Sequence, residues 1–207
     1  MQPAIITLPG YKINEYQLVL NPHADLRDRI MQLKKEFAGK YPSPFPGSFG
    51  MSRPHLVLGR FKQLEMMEER ITQSLKTVAM GYRPFKAELK DFGSLPTHSI
   101  FINVISKEPI RNLVKQLKTA QRLMKINDDN KPFFLDEPLF PIVQKLLPWQ
   151  YEKAWPEYSR KNFTARFIAD GMLLLKRRLG DKSWQIAQRF EFMNLPVITK
   201  QGELFGE

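Results

Sequence analysis

Residues 53–60 read RPHLVLGR. A histidine opens a short apolar, alternating run that closes on glycine and arginine. In a strand, side chains two apart share a face, so His55 and Val57 fall on one side and Leu56 and Leu58 on the other. The run is preceded by GKYPSPFPGSFGMSRP (39–54), whose four prolines and three glycines predict a long loop ending at His55. After it, Leu64, Met67, Ile71, Leu75 and Val78 form one helical face, with Gly81 at its end.

Working outward, EYQLVLNP (15–22) predicts a strand that stops at Pro22. A helix follows with Leu26, Ile30, Leu33 and Phe37 in one stripe, and Asp25 or Asn21 is placed to cap it. On the other side, FKAELK (85–90) alternates as a half-solvated antiparallel strand, DFGSLPT (91–97) reads as a turn, and HSIFINVI (98–105) as a more buried strand. Ile110, Leu113, Val114 and Leu117 mark a third helix, and the polar KINDDNKP (125–132) a seam. Beyond it lie EPLFPIVQKL (137–146), a short aromatic helix at PWQYEKAWPEY (148–158), and strands in NFTARFIAD, MLLLKRR and WQIAQRFEF. Strands mixed with helices on an antiparallel framework predict an α+β fold.

The 207 residues are 43% hydrophobic, enough for one well-cored domain or two small, intimately packed lobes. Cysteine is absent, which removes disulfides, thiolate nucleophiles and Cys-based metal sites and fits a cytoplasmic setting. The start, MQPAIITLPGYK, lacks the features of a signal peptide, and no apolar run is long enough for a membrane span. A formal charge of +11 favours polyanionic ligands. Three dispersed histidines without paired carboxylates predict no metal site, and no glycine-rich loop predicts a bound cofactor.

The order of strand, helix, Pro/Gly loop, PHLVLGRF, amphipathic helix, alternating strand and buried strand resembles the first lobe of the two-histidine (2H) phosphoesterases, which include the 2'-5' RNA ligases. The likeness runs over roughly residues 14–193. It implies one bilobal α+β domain over 1–207, with a central cleft and lobes of roughly 14–60 plus the C-terminal strands and 61–135. In that family two His-x-Thr/Ser motifs, one per lobe, supply a general base and a general acid on opposite sides of a phosphodiester.

The first motif survives as His55-Leu56-Val57, with valine where the family has a hydroxyl residue. EPLFPIVQKL sits where the second belongs, with Leu139 at the histidine position and Pro141 at the threonine position. An alternative register places the second motif at Asn162-Phe163-Thr164. The resemblance thus implies a catalytic His55, degenerate positions Val57, Leu139 and Pro141, and a nucleotide or RNA end held by Arg60, Lys145 and Arg166, without metal or cofactor. Three activities stay open: a degenerate member that binds without turnover, a working phosphoesterase or ligase that pairs His55 with His98, Tyr158 or a lysine, and a scaffold without a small ligand. His23 reads as a solvated neighbour of a helix start, and Trp149, Tyr151, Trp155 and Tyr158 either stack a base or pack the core.

Overall fold

The strand expected at EYQLVL runs from Ile13 to Leu20 (β1), with Tyr16, Leu18 and Leu20 buried and Glu15 and Gln17 on the opposite face. The structure is a computed structural model that describes residues 10–42 and 53–195. The leader, the middle of the Pro/Gly stretch (43–52) and the residues after 195 lie outside the described residues.

β1 is followed by α1 (Ala24–Lys40), β2 (Leu56–Leu64), α2 (Glu68–Gly81), β3 (Phe85–Leu95), β4 (Ser99–Val104) and α3 (Lys107–Leu117). Then come β5 (Phe133–Phe134), β6 (Leu139–Gln144), α4 (Pro148–Tyr158), β7 (Thr164–Ala169), β8 (Gly171–Arg178) and β9 (Gln185–Glu191). The strands form two antiparallel sheets, one in the order β5-β2-β1-β8-β9 and one in the order β6-β4-β3-β7. The fold is α+β, with helices flanking both sheets and one continuous apolar core.

The apolar spacings explain why each helix docks. In α3 the four residues of the stripe, Ile110, Leu113, Val114 and Leu117, are all buried, and each such burial contributes about 1.5–3 kcal/mol. In α1 the buried set is Leu26, Ile30, Lys34 and Phe37, so a lysine takes a core-facing position that the stripe had given to Leu33. α1 packs against β6, and α2 against β9 and α3. Gln150 ties the molecule together where α1 ends: its amide donates to the carbonyls of Tyr41 (3.2 Å) and Pro42 (3.1 Å), and its oxygen accepts the Leu147 N–H that opens α4.

Two local expectations are corrected. DFGSLPT is not a turn throughout, because β3 continues to Leu95. Asp91, at φ +53°, is skipped in the pairing with β4 and absorbs the irregularity as a bulge, while its carboxylate accepts the Phe163 N–H (3.1 Å). The reversal falls at Pro96–His98 instead, closed by the His98 N–H on the Leu95 carbonyl (3.0 Å). Neither Asp25 nor Asn21 caps α1. The N-cap is His23, without a side-chain bond, because Asn21 accepts from Arg27 (3.4 Å) and Asp25 already lies in the first turn.

Candidate functional site

The pairing of β2 with β1 sets the direction of His55. Leu20 stands opposite Leu56 and Val19 opposite Val57, so Leu56 enters the core and Val57 the other face, with His55 two residues before it. His55 itself precedes the first residue of β2. It lines a cavity of about 540 Å3 whose apolar wall includes Leu173, Leu175 and Ile186. Three cations also line it, Arg27, Arg53 and Lys182, and no carboxylate among the described residues does.

His55 is half-buried. Burial holds its pKa down to about 4, a backbone hydrogen bond with Arg53 pulls the other way, and the charges of Lys34 and Arg60 push it lower. At neutral pH the imidazole is therefore uncharged and able to accept a proton. Lys34 is only 8% exposed, forms no ion pair among the described residues, and burial lowers its own pKa.

A second cavity of about 410 Å3 lies on the same face, and Trp184 lines both. In it the register sets Gln17 opposite Arg60, Arg60 opposite Phe133, and Glu15 opposite both Lys62 and Arg177. Gly59 allows the close approach of β5, since a Cβ there would stand 3.1 Å from the Phe133 carbonyl oxygen. Glu15 is taken by Arg177 (2.6 Å) and Lys62 (3.8 Å), and the Arg177 guanidinium lies over the Trp184 ring at 4.5 Å. Arg60 has no carboxylate partner among the described residues, and burial together with Arg177 lowers its pKa.

The strand expected to carry the second motif is β6. Leu139 and Pro141 lie on β6, half-buried, opposite Asn103 and Phe101 of β4. Phe101 and the Asn103 amide both lie close across Gly93, where a Cβ would come within 2.5 Å of the ring and 2.6 Å of the amide oxygen. Lys145 follows β6 at φ +58° with an exposed side chain. Arg166 is exposed on β7 opposite Glu88 and lines a different cavity, with His23 and Arg29. Arg60 and Arg166 thus line different cavities.

The remaining candidates separate by burial. Phe163 is buried beneath the Arg29 guanidinium (5.0 Å), and β7, which begins at Thr164, is the sheet edge opposite β6. His98 is exposed in the β3–β4 turn, its carbonyl accepting the Leu146 N–H. Tyr158 is buried between Phe37 and Phe92, and burial raises its pKa. Tyr151 stacks on Trp155, both packed against the core, and Trp149 is exposed beneath the Lys153 ammonium. The residues that sequence reasoning missed are Arg27, Arg53, Lys182 and Trp184. A signal existed for Arg53, two positions before His55 and hence on its face, but none for the others, which arrive from α1 and the β8–β9 turn. No group of three or more His, Asp or Glu among the described residues could hold a metal ion.

The sequence profile of the 2'-5' RNA ligase superfamily matches residues 22–181. The chain belongs to the 2'-5' RNA ligase superfamily. Solved structures agree on the fold. E. coli LigT complexed with 3'-AMP is 13% identical at a TM-score of 0.57, covering 87% of this chain and 99% of LigT. LigT complexed with NADP+ is 12% identical at the same TM-score, covering 87% and 98%. The Thermus thermophilus protein TT0787 is 16% identical, also at 0.57, covering 86% and 98%. A comparison with curated proteins finds no match. No described helix of this superfamily member is long and apolar enough to cross a membrane.

Proposed function

We propose that this protein binds the phosphate-bearing end of a nucleotide or RNA in the cavity beside His55, and that its phosphodiester chemistry is degenerate. One observation carries the reading: a neutral imidazole shares a cavity with three cations and, among the described residues, no carboxylate, while the second motif strand presents leucine and proline. Arg27, Arg53 and Lys182 supply charge for a phosphate, and Trp184 with Ile186 supplies a surface for a base or sugar. That E. coli LigT has been captured with 3'-AMP, ATP and NADP+ supports a ligand of this class.

The chemistry follows from what each strand retains. Neutral His55 can take a proton from an attacking hydroxyl, but Leu139 cannot return one to the leaving oxygen. Neither Val57 nor Pro141 donates a hydrogen bond to the phosphoryl oxygens. Losing one acid or base partner costs roughly 10²–10⁴-fold, so binding outlives turnover. The test is a calorimetric titration with adenosine 3'-phosphate at low and moderate salt. Salt-sensitive binding that Arg53→Ala weakens about tenfold is expected. Binding indifferent to salt, or no binding at all, would favour the scaffold.

A further inference from the structure

We propose that Lys34 is a phosphate-binding residue of the His55 site and sets its selectivity, favouring a doubly charged phosphomonoester end over a singly charged cyclic phosphate or diester. This rests on the assignment of the His55 cavity to the terminal phosphate. Three observations carry it, and the first is position. Arg27 lines the cavity, and Lys34 follows it on α1, about 20° around the helix and about 10 Å along it. Both cations therefore lie on one helix face, and the charge of Lys34 is felt at the His55 imidazole. α1 also packs against β6, the strand that carries Leu139 in place of a second motif histidine.

The second observation is an opening. Lys34 is buried and makes no hydrogen bond or ion pair among the described residues. Yet no fully buried side-chain nitrogen or oxygen among those residues lacks a partner. The Lys34 Nζ is therefore not sealed: its stem is buried, and the little surface that remains includes the ammonium. An unpaired charge in such a place costs stability, a cost offset when an anion reaches it. The third observation is charge balance. Arg27, Arg53 and Lys182 have no ion-pair partner among the described residues, and Lys34 adds a fourth cation. A phosphomonoester carries about −1.5 to −2 near pH 7, whereas a cyclic phosphate or diester carries one charge. Lys34 is the most deeply buried of the four, so it gains most from the second charge.

The experiment titrates wild type, Lys34→Met and Lys35→Met with adenosine 3'-phosphate and with adenosine 2',3'-cyclic phosphate, by calorimetry at pH 7.5. Wild type should bind the monoester at least about tenfold tighter than the cyclic phosphate. Lys34→Met should weaken the monoester about tenfold and the cyclic phosphate less than about threefold, because only one ligand brings the second charge to the ammonium. Lys35, the next residue, is exposed, so Lys35→Met removes the same charge from the surface and should leave both affinities unchanged. Urea unfolding checks the fold: Lys34→Met should be no less stable than wild type, since it removes an unpaired buried charge. Equal affinities in wild type, a preference that survives Lys34→Met, or losses that Lys35→Met reproduces would each overturn the role of Lys34 and leave the His55 assignment standing. If wild type binds neither ligand, both assignments fall.

Discussion

Strands β2 and β6 are entered the same way, through a proline and then alternating positions, and they diverge only where they face outward. Their inward residues are equally committed to the core: Leu56 and Leu58 on β2, Phe140 and Ile142 on β6. Outward, β2 carries Val57 and is preceded by His55 in a basic cavity, while β6 carries Leu139 and Pro141 beside Asn103 and Phe101. The difference teaches that fold and chemistry are held by alternate residues of the same strand. A period of two lets one set drift while the other is retained.

The sharpest way to break this comparison is to make the outward faces alike. Leu139→His with Pro141→Thr and Val57→Thr should raise 2',3'-cyclic nucleotide hydrolysis by roughly 10²–10⁴-fold over a marginal wild type, because the introduced imidazole and two hydroxyls act on developing charge. Strong wild-type turnover that vanishes in His55→Ala would show the degeneracy argument to be wrong. The inward faces offer the control. Phe140→Ala should cost about 3–5 kcal/mol by urea unfolding, as a buried aromatic on any core strand does.

A third test uses acidity, which touches only the β2 side. The folded pKa of His55 lies near 4 against an ordinary 6.5, so the unfolded chain binds the proton first. Stability is then fully present above pH 6.5 and lost as pH falls toward 4, by on the order of 3 kcal/mol. His55→Gln should remove that component of the acid dependence in urea unfolding at pH 7 and pH 4. Identical pH profiles would show that the imidazole is not desolvated.

The smallest effect concerns Lys34, whose buried ammonium lacks an ion-pair partner among the described residues. Lys34→Met should stabilise the protein by about 1 kcal/mol at pH 7, since burying an unpaired charge is costly. Burial lowers this pKa, so the penalty is present below the lowered value and relieved as pH rises through it. The gain should therefore shrink in alkaline unfolding measurements. A gain that does not change with pH would point to packing and not charge.

Sequence reasoning reached the fold where a single periodicity ruled. The stripe of α3 and the alternation of FKAELK both appear in the structure as read. It failed where a strand tolerates what usually ends one. DFGSLPT carries Asp and Gly ahead of its proline, yet β3 passes through both because one bulge at Asp91 absorbs the misfit. The two-residue β5 was invisible, being too short for any period and adjacent to Pro132. His55 and Arg60 could be proposed for the site because one stands immediately before, and the other within, a strand with a recognisable pattern. Arg27, Lys182 and Trp184 converge from distant segments, and no local spacing encodes that convergence. Lys34 escaped because a charged residue is not counted in an apolar stripe.

Pro141 has a consequence beyond the missing hydroxyl. It sits on β6, an outer strand of its sheet, where unpaired backbone groups invite a further strand from another molecule. Proline withholds the N–H such pairing would need, and the skipped pairing at Ile142 further disturbs the edge. The residue that brings no hydroxyl to the strand thus also guards the molecule against edge-to-edge self-association. Any engineered gain of catalysis through position 141 would have to contend with aggregation.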